Sequence, residues 1–368
     1  MRLTHNEEQR LLQEQVRRLC EERAGADLLR MLIAERKPMS PDLWAHMSEL
    51  GLPAAAVPEA FGGVGLGIRA LCVIAEELGR AVAPVPYFSS ACMATEAIKL
   101  AASAEQQREW LPRLASGEKI ASLAHADGSG DPDRAAAGVR WSANALNGRK
   151  TPVSDLGVCD WLVVVASDGA QPVLALVDLA EARPETSPLS GFDELRHHGT
   201  VAFRDTPCEV LAARRGPEVV RELFCRLAVI AAFEQIGGAE AAMLMARDYT
   251  MERYVFGRQL ASYQAVKHKL ANILAMLEIN RSNALYAAAA FEDGSGDRFT
   301  AAATARTGAT SLYEEAAREN LQLHGGIGFT WEANCHFHYR RARLLAHHLG
   351  GPVAWRRILI EGLQEQVA

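Results

Sequence analysis

A chain of 368 residues is too long for one compact core and points to two or three domains. Nearly half of its residues are apolar and 23% are charged, an ordinary globular balance, while a net charge of −6 without any basic–aromatic cluster excludes a nucleic-acid footprint. Seven scattered cysteines with no C-x-x-C pair argue for reduced thiols and against a disulfide framework or a metal site, and the lack of an apolar leader or an uninterrupted membrane-length run predicts a cytoplasmic protein with no membrane span.

In chain order, residues 1–118 read as an N-terminal α-helical domain. An amphipathic segment from Thr4 to Arg23 opens on a Thr cap with Glu7 three residues on. A second helix starts at Ser40-Pro41, cap and first turn, and ends at Gly51-Leu-Pro53. Val57 to Gly67 is a glycine-rich stretch that reads as a flexible loop. It lacks the preceding strand that a dinucleotide-binding turn needs, so that reading is rejected. A helix through Glu76-Glu77-Leu78-Gly79-Arg80 follows, then a helical region from Ser89 to Leu114.

From Lys119 the pattern changes to short apolar runs, Ile120–Ala124, Val139–Ala143, Trp161–Ala166, Pro172–Val177, Gly199–Phe203 and Val210-Leu211. Asn147-Gly148 and Asp168-Gly169 read as turns between them. Residues 119–215 are therefore expected to be a central β-barrel or sandwich domain. Residues 216–368 return to helices: Val219–Arg253, whose Gly237-Gly238 pair permits close packing, Ser262–Phe291, Phe299–Leu323 ended by Gly325-Gly326, Glu332–Leu349 and Pro352–Gln366. This is a four-helix-type bundle, and the whole is an α+β chain of helical, β and helical parts.

Arg253-Tyr-Val-Phe256-Gly257-Arg258 to Gln264-Ala-Val-Lys-His268 reads as the corner of a helical hairpin. By spacing alone its arginines are solvated; alternatively Arg253, Arg258 and Gln264 converge on a shared ligand.

Six segments carry a resemblance in a fixed order: Pro58-Glu59-Ala-Phe-Gly62-Gly63, Glu76-Glu77-Leu78-Gly79-Arg80, Trp110 to Glu118, Arg253 to Arg258, Gln264 to Ala271, and Gln322-Leu-His324-Gly325-Gly326-Ile-Gly328-Phe329. Together they resemble the acyl-CoA dehydrogenases. The resemblance implies an FAD-dependent oxidoreductase that dehydrogenates an acyl-CoA thioester to the 2-enoyl-CoA. A carboxylate takes the α-proton, and electrons pass to an electron-transferring flavoprotein. It also implies a homo- or hetero-oligomer with FAD at the subunit interface. Arg253 then matches the arginine that reaches the FAD pyrophosphate of a neighbouring subunit, for which a guanidinium is chemically suited. Phe256 matches the aromatic beside it, Gln264 lies in the next matching stretch, and Gln322, Gly325 and Gly326 match the segment that meets the adenosine portion. His268 and His324 are expected to be structural.

The chain departs from the family in two places. Counting from Gly328-Phe329 brings Leu349 to the position of the glutamate base, and leucine accepts no proton. The alternative base position, early in the first long C-terminal helix, holds Cys225 before Arg226. Glu222 and Glu234 remain as candidates, with Glu234 among apolar neighbours where burial would raise its pKa. In the β domain the family's flavin-contacting loop is reduced to Ala126-Asp127-Gly128-Ser129-Gly130-Asp131, and its Trp-Ile-Thr becomes Pro152-Val153-Ser154. Ser154 is still expected to offer a hydrogen bond to the flavin. Both losses resemble the smaller subunits of heterotetrameric bacterial members, so two readings stand: a working dehydrogenase subunit, or a base-less partner that completes a paralogue's site.

Overall fold

A computed structural model describes residues 4–128 and 130–367; Met1–Leu3, Ser129 of the shortened loop and Ala368 lie outside the described residues. The N-terminal part holds α1 (Glu7–Arg23), α2 (Ala26–Ala34), α3 (Pro41–Glu49) and α4 (Gly67–Arg80), then a π-helical turn (Phe88–Ala94) running into α5 (Thr95–Ala101), and α6 (Ala104–Ala115). The cap of α1 is Asn6, not Thr4. Its side chain accepts from the Gln9 amide at 2.8 Å and the Gln9 side chain returns the bond at 3.1 Å, so the capping box sits two residues later than expected. Ser40 caps α3 as read, accepting from the Leu43 amide. Helix α2 had no reading in the sequence. The 57–67 stretch is pinned by backbone bonds from Val64, Gly65 and Leu66 to Ala54, Val57 and Ala55, which makes it an ordered turn and not a flexible loop.

The central strands are β1 (Ala121–Ala124), β2 (Val139–Ser142), β3 (Ala145–Ser154), β4 (Trp161–Ser167) and β5 (Pro172–Asp178). A short α7 (Leu179–Ala182) follows, then β6 (Glu185–Leu189), β7 (His198–Pro207) and β8 (Glu209–Val210). Their order is β6-β7-β3-β2-β4-β5-β8, with β1 added parallel to β4. Period-two geometry divides β4 and β5 cleanly. Leu162, Val164 and Ala166 pack inside the curled sheet with Leu146, Val201 and Phe203, whereas Trp161, Val163 and Val165 pack toward the helices. The β2–β3 turn is Ala143-Asn144, both at positive φ; Asn147-Gly148 instead lies inside β3 at a register shift. The Asp168-Gly169 turn joins β4 and β5 as expected.

The C-terminal part comprises α8 (Pro217–Glu252), a hairpin of β9 (Tyr254–Val255) and β10 (Arg258–Gln259), α9 (Gln264–Glu292), α10 (Arg298–His324), α11 (Cys335–His347) and α12 (Pro352–Val367). Helix α8 contains an 18-residue window of mean hydropathy 1.4, long and apolar enough to cross a membrane by composition. Since 83% of that window is buried by the rest of the fold, it is the core helix of the bundle. It crosses α4 at two glycines: a Cβ at Gly237 would overlap the Glu76 carbonyl, and one at Gly79 the Glu234 carbonyl. Backbones this close leave no room for any side chain at either position. One hydrophobic core runs from the N-terminal helices through α8 and α10 to the helix-facing side of the sheet.

Candidate functional site

The corner at Arg253 is not a helix turn. Helix α8 stops at Glu252, and the chain makes a two-residue β-hairpin whose tip, Phe256-Gly257, has φ of 51° and 78°. Positive φ at both central residues is the turn that matches strand twist, and glycine takes it freely while phenylalanine does so at a cost of about 1 kcal/mol. The hairpin base is closed by the Leu260 amide to the Arg253 carbonyl at 2.7 Å. The Tyr263 hydroxyl donates to the Val255 carbonyl at 2.9 Å, and the Arg258 guanidinium lies 3.8 Å over the Tyr263 ring. Arg258 is thereby held on the hairpin itself. Phe256 is 93% exposed; Arg253 and Gln264 are exposed and bond no described side chain.

The second candidate segment comes to the same end of the bundle. Gly325, at φ 63°, ends α10, and its amide donates to the Gln322 carbonyl. Gln322, Gly325 and Gly326 are exposed, and nothing lies within 4 Å of a Cβ placed at either glycine. His324 stacks on Tyr249 of α8 at 4.1 Å, and Leu323 packs with Ala246 and Val266, so the base of the hairpin and the end of α10 share one small core. His324 is thus half-buried in this small core, while His268 is exposed. Beside these polar groups stand Tyr254, Ile327, Phe329 and Trp331, from 43% to 74% exposed.

Ser154 is not with them. It is 6% exposed, at the end of β3, under two imidazoles: His198 Nε2 at 3.2 Å and His348 Nε2 at 3.1 Å from its Oγ. Burial lowers the pKa of both histidines, which keeps them neutral. His198 Nδ1 lies 3.0 Å from the Arg196 carbonyl and must donate to it, which leaves Nε2 as the acceptor. The Ser154 hydroxyl proton therefore goes to His198, and its oxygen accepts from His348. In this arrangement the Ser154 hydroxyl is engaged by both imidazoles, apart from the other expected cofactor residues. His348 also packs on Phe88 at 5.3 Å, and the Arg306 guanidinium holds the His348 carbonyl at 2.5 Å.

The carboxylates fare no better as bases. Glu234, 2% exposed, takes a bidentate pair from Arg196 at 2.7 and 3.3 Å, and Arg341 stands 3.5 Å away. Arg341 also holds buried Asp193 at 2.5 Å. Both oxygens of Glu234 are thus bonded within an ion network of two guanidiniums and two carboxylates. Glu222 is tied to Arg226 and Arg214, and burial pushes the Cys225 thiol up to about 12. Leu349 is 1% exposed at φ 62°, and its carbonyl accepts from Trp355 Nε1 at 2.9 Å. The network residues Asp193, Arg196 and Arg341 and the histidine pair had no signal in local sequence.

A cavity of about 490 Å³ lies between the start of α8, α12 and the loop at Pro132, with Phe224, Cys225 and Trp355 in its wall. None of the expected cofactor residues lines it. Its lining also includes Asp133, Glu218, Glu361 and Glu365 with Arg221, and Arg221 pairs with Glu365 at 3.6 Å.

The acyl-CoA dehydrogenase N-terminal domain profile matches residues 6–118, and the C-terminal domain profile matches residues 214–361. The chain belongs to the acyl-CoA dehydrogenase family. Acyl-CoA dehydrogenase IpdE2 of Mycobacterium tuberculosis is 29% identical over 351 residues, 95% of each chain. Among solved structures, a variant of the Tcur3481-Tcur3483 steroid ACAD superposes with a TM-score of 0.90 at 30% identity, covering 98% of this chain and 99% of that one. The ChsE4-ChsE5 complex from Mycobacterium tuberculosis gives 0.89 at 25% identity over 99% of each. The α+β fold of helical, β and helical parts is that of the family, whose members are FAD-dependent oxidoreductases acting on CH–CH bonds.

Proposed function

We propose that this acyl-CoA dehydrogenase works as one subunit of a hetero-oligomer, lending an FAD-binding arm to a paralogous partner that carries the base. The observation that carries the reading is a division between two sets of expected cofactor residues. Arg253, Phe256, Gln264, Gln322, Gly325 and Gly326 are exposed, unpaired and gathered at one end of the bundle, whereas Ser154 is sealed beneath His198 and His348. The arm fits the group: Arg253 supplies the guanidinium for a pyrophosphate, and the open glycines let a backbone approach an adenosine. Bound there, FAD would supply the hydride chemistry; this chain's part is to hold and orient it. The exposed aromatics beside the arm suit burial against that partner. Substrate and electron acceptor are then an acyl-CoA, of steroid type as for the similar Tcur3481-Tcur3483 steroid ACAD, and an electron-transferring flavoprotein.

The test is Arg253→Ala in the assembled protein. Losing a charge-assisted contact of roughly 1.5–3 kcal/mol weakens FAD binding about 10- to 100-fold. The flavin-to-protein absorbance ratio after dialysis should drop with the fold intact, and an unchanged ratio removes the arm from the FAD site. Robust acyl-CoA oxidation by the isolated chain would defeat the base-less reading.

A further inference from the structure

The Arg196 and Glu234 side chains lie in a slot that is otherwise apolar. Its other walls are Ala75 and Leu78 of α4, with Ala83, Val85, Tyr87 and Phe88 from the segment that follows, and with the pair in place only about 10 Å³ stays open. That is room for one water at most. Tyr87 spends its hydroxyl on the Leu52 carbonyl at 3.2 Å, so Arg196 and Glu234 are the two charges in the lining. They are tolerated there because the pair is bidentate and the surrounding network, with Asp193 and Arg341, sums to zero charge. A buried network of this kind holds a fold no better than well-packed apolar side chains of the same volume. Stability alone therefore gives no reason to fill an aliphatic slot with ions, whereas exclusion of an apolar occupant does.

We propose that the Arg196–Glu234 pair is a plug that fills a slot of alkyl-chain calibre and keeps this subunit from taking up an aliphatic chain of its own. Arg196 arrives on the loop between β6 and β7 and Glu234 from the middle of α8, so the plug also fastens the β domain to the bundle. Glu234 stands at the glycine crossing of α4 and α8, where backbone shifts cannot open the slot without breaking that contact. The inference rests on the slot and its lining, not on the FAD arm, so a failed Arg253 test leaves it standing.

The double variant R196A/E234A removes both charges and leaves the Arg341–Asp193 pair intact, while buried Arg306 loses the favourable charge of Glu234 and keeps its bonds to Gln235 and two backbone carbonyls. With 1-octanol as the probe, titration calorimetry should show binding at least tenfold tighter than to the parent chain, and thermal unfolding should rise with octanol concentration. R196M/E234L, which refills the slot with apolar volume, should behave like the parent. Equal octanol binding by the parent and R196A/E234A overturns the plug, as does equal binding by R196M/E234L and R196A/E234A. Should the alanine pair not fold, R196M/E234A is read with benzene: uptake by that variant and none by the parent supports the proposal, and equal uptake overturns it.

Discussion

Acidification should unfold this chain earlier than its carboxylates alone would dictate, because its interior holds histidines that refuse a proton. Burial, with Lys150 as the next cause, brings His125 down to about 3, and burial with Arg341 brings His338 to about 4; His348 and His198 are lowered in the same direction. An unfolded histidine titrates near 6.5. Below that pH the unfolded chain gains a proton at each position and the folded chain does not, so stability is intact above pH 6.5 and falls as pH drops toward the folded values. The slope is about 1.4 kcal/mol per pH unit for each such group. For His125 and His338 together the loss by pH 4 is roughly 6 kcal/mol, the size of a whole domain's stability. Glu76, whose pKa is raised by burial, works the other way, so a difference experiment is needed. Replacing His125 by Phe keeps a ring against Phe224, which it meets edge-on at 5.1 Å, and removes the titration. Urea unfolding followed by circular dichroism at pH 7.5, 6.5, 5.5 and 4.5 should give a pH slope shallower by about 1.4 kcal/mol per unit in H125F. An identical slope in parent and variant would show that His125 is not held neutral and would refute the argument.

Two further perturbations separate packing from function. Gly237→Ala puts a methyl into the Glu76 carbonyl and should destabilise by about 1–3 kcal/mol despite alanine's better helix propensity, whereas Gly326→Ala meets nothing within 4 Å and should leave urea midpoints unchanged while lowering flavin content. Leu349→Glu restores the family's residue at the base position. It should nevertheless yield no turnover in a dye-reduction assay and cost roughly 3–5 kcal/mol, because the residue is 1% exposed beside a sealed Ser154. Turnover gained by that single change would show the chain's own site to be open.

Much of the fold was legible because it follows from spacing and punctuation: Ser40-Pro41 opens a helix, Gly325 ends one, and Gly237 marks the closest approach of two. The misreadings have physical causes. A hairpin with two residues per strand is too short to show period two, so the stretch reads as the corner of a helical hairpin. Ala143 takes positive φ because β2 and β3 pair there; nothing about alanine announces it, whereas Asn147-Gly148 looked like a turn and became a register shift. The arm residues were readable as a set because two segments that resemble the family carry them, Arg253–Ala271 and Gln322–Phe329. The seal was not. It joins Ser154 to His348 across 194 residues and Arg196 to Glu234 across 38, and pairings of that kind leave no local trace.

Those long-range pairings decide what the chain can do. A general base needs a carboxylate oxygen free to face its substrate, and a flavin needs a hydroxyl or amide with a proton to give. In this interior Asp193 and Glu234 are both bonded to guanidiniums, the Ser154 proton is committed to His198, and the base position holds a buried leucine. Around the hairpin and the end of α10 the reverse holds, with the Arg253 guanidinium bonded to no described side chain, two open glycines, and a phenylalanine held in a costly conformation at the hairpin tip. Strain and exposure that nothing within the chain compensates persist where something outside it does. On the reading proposed above, a partner seated on the arm supplies that compensation, and a paralogous chain of the family's fold is the simplest one to fit.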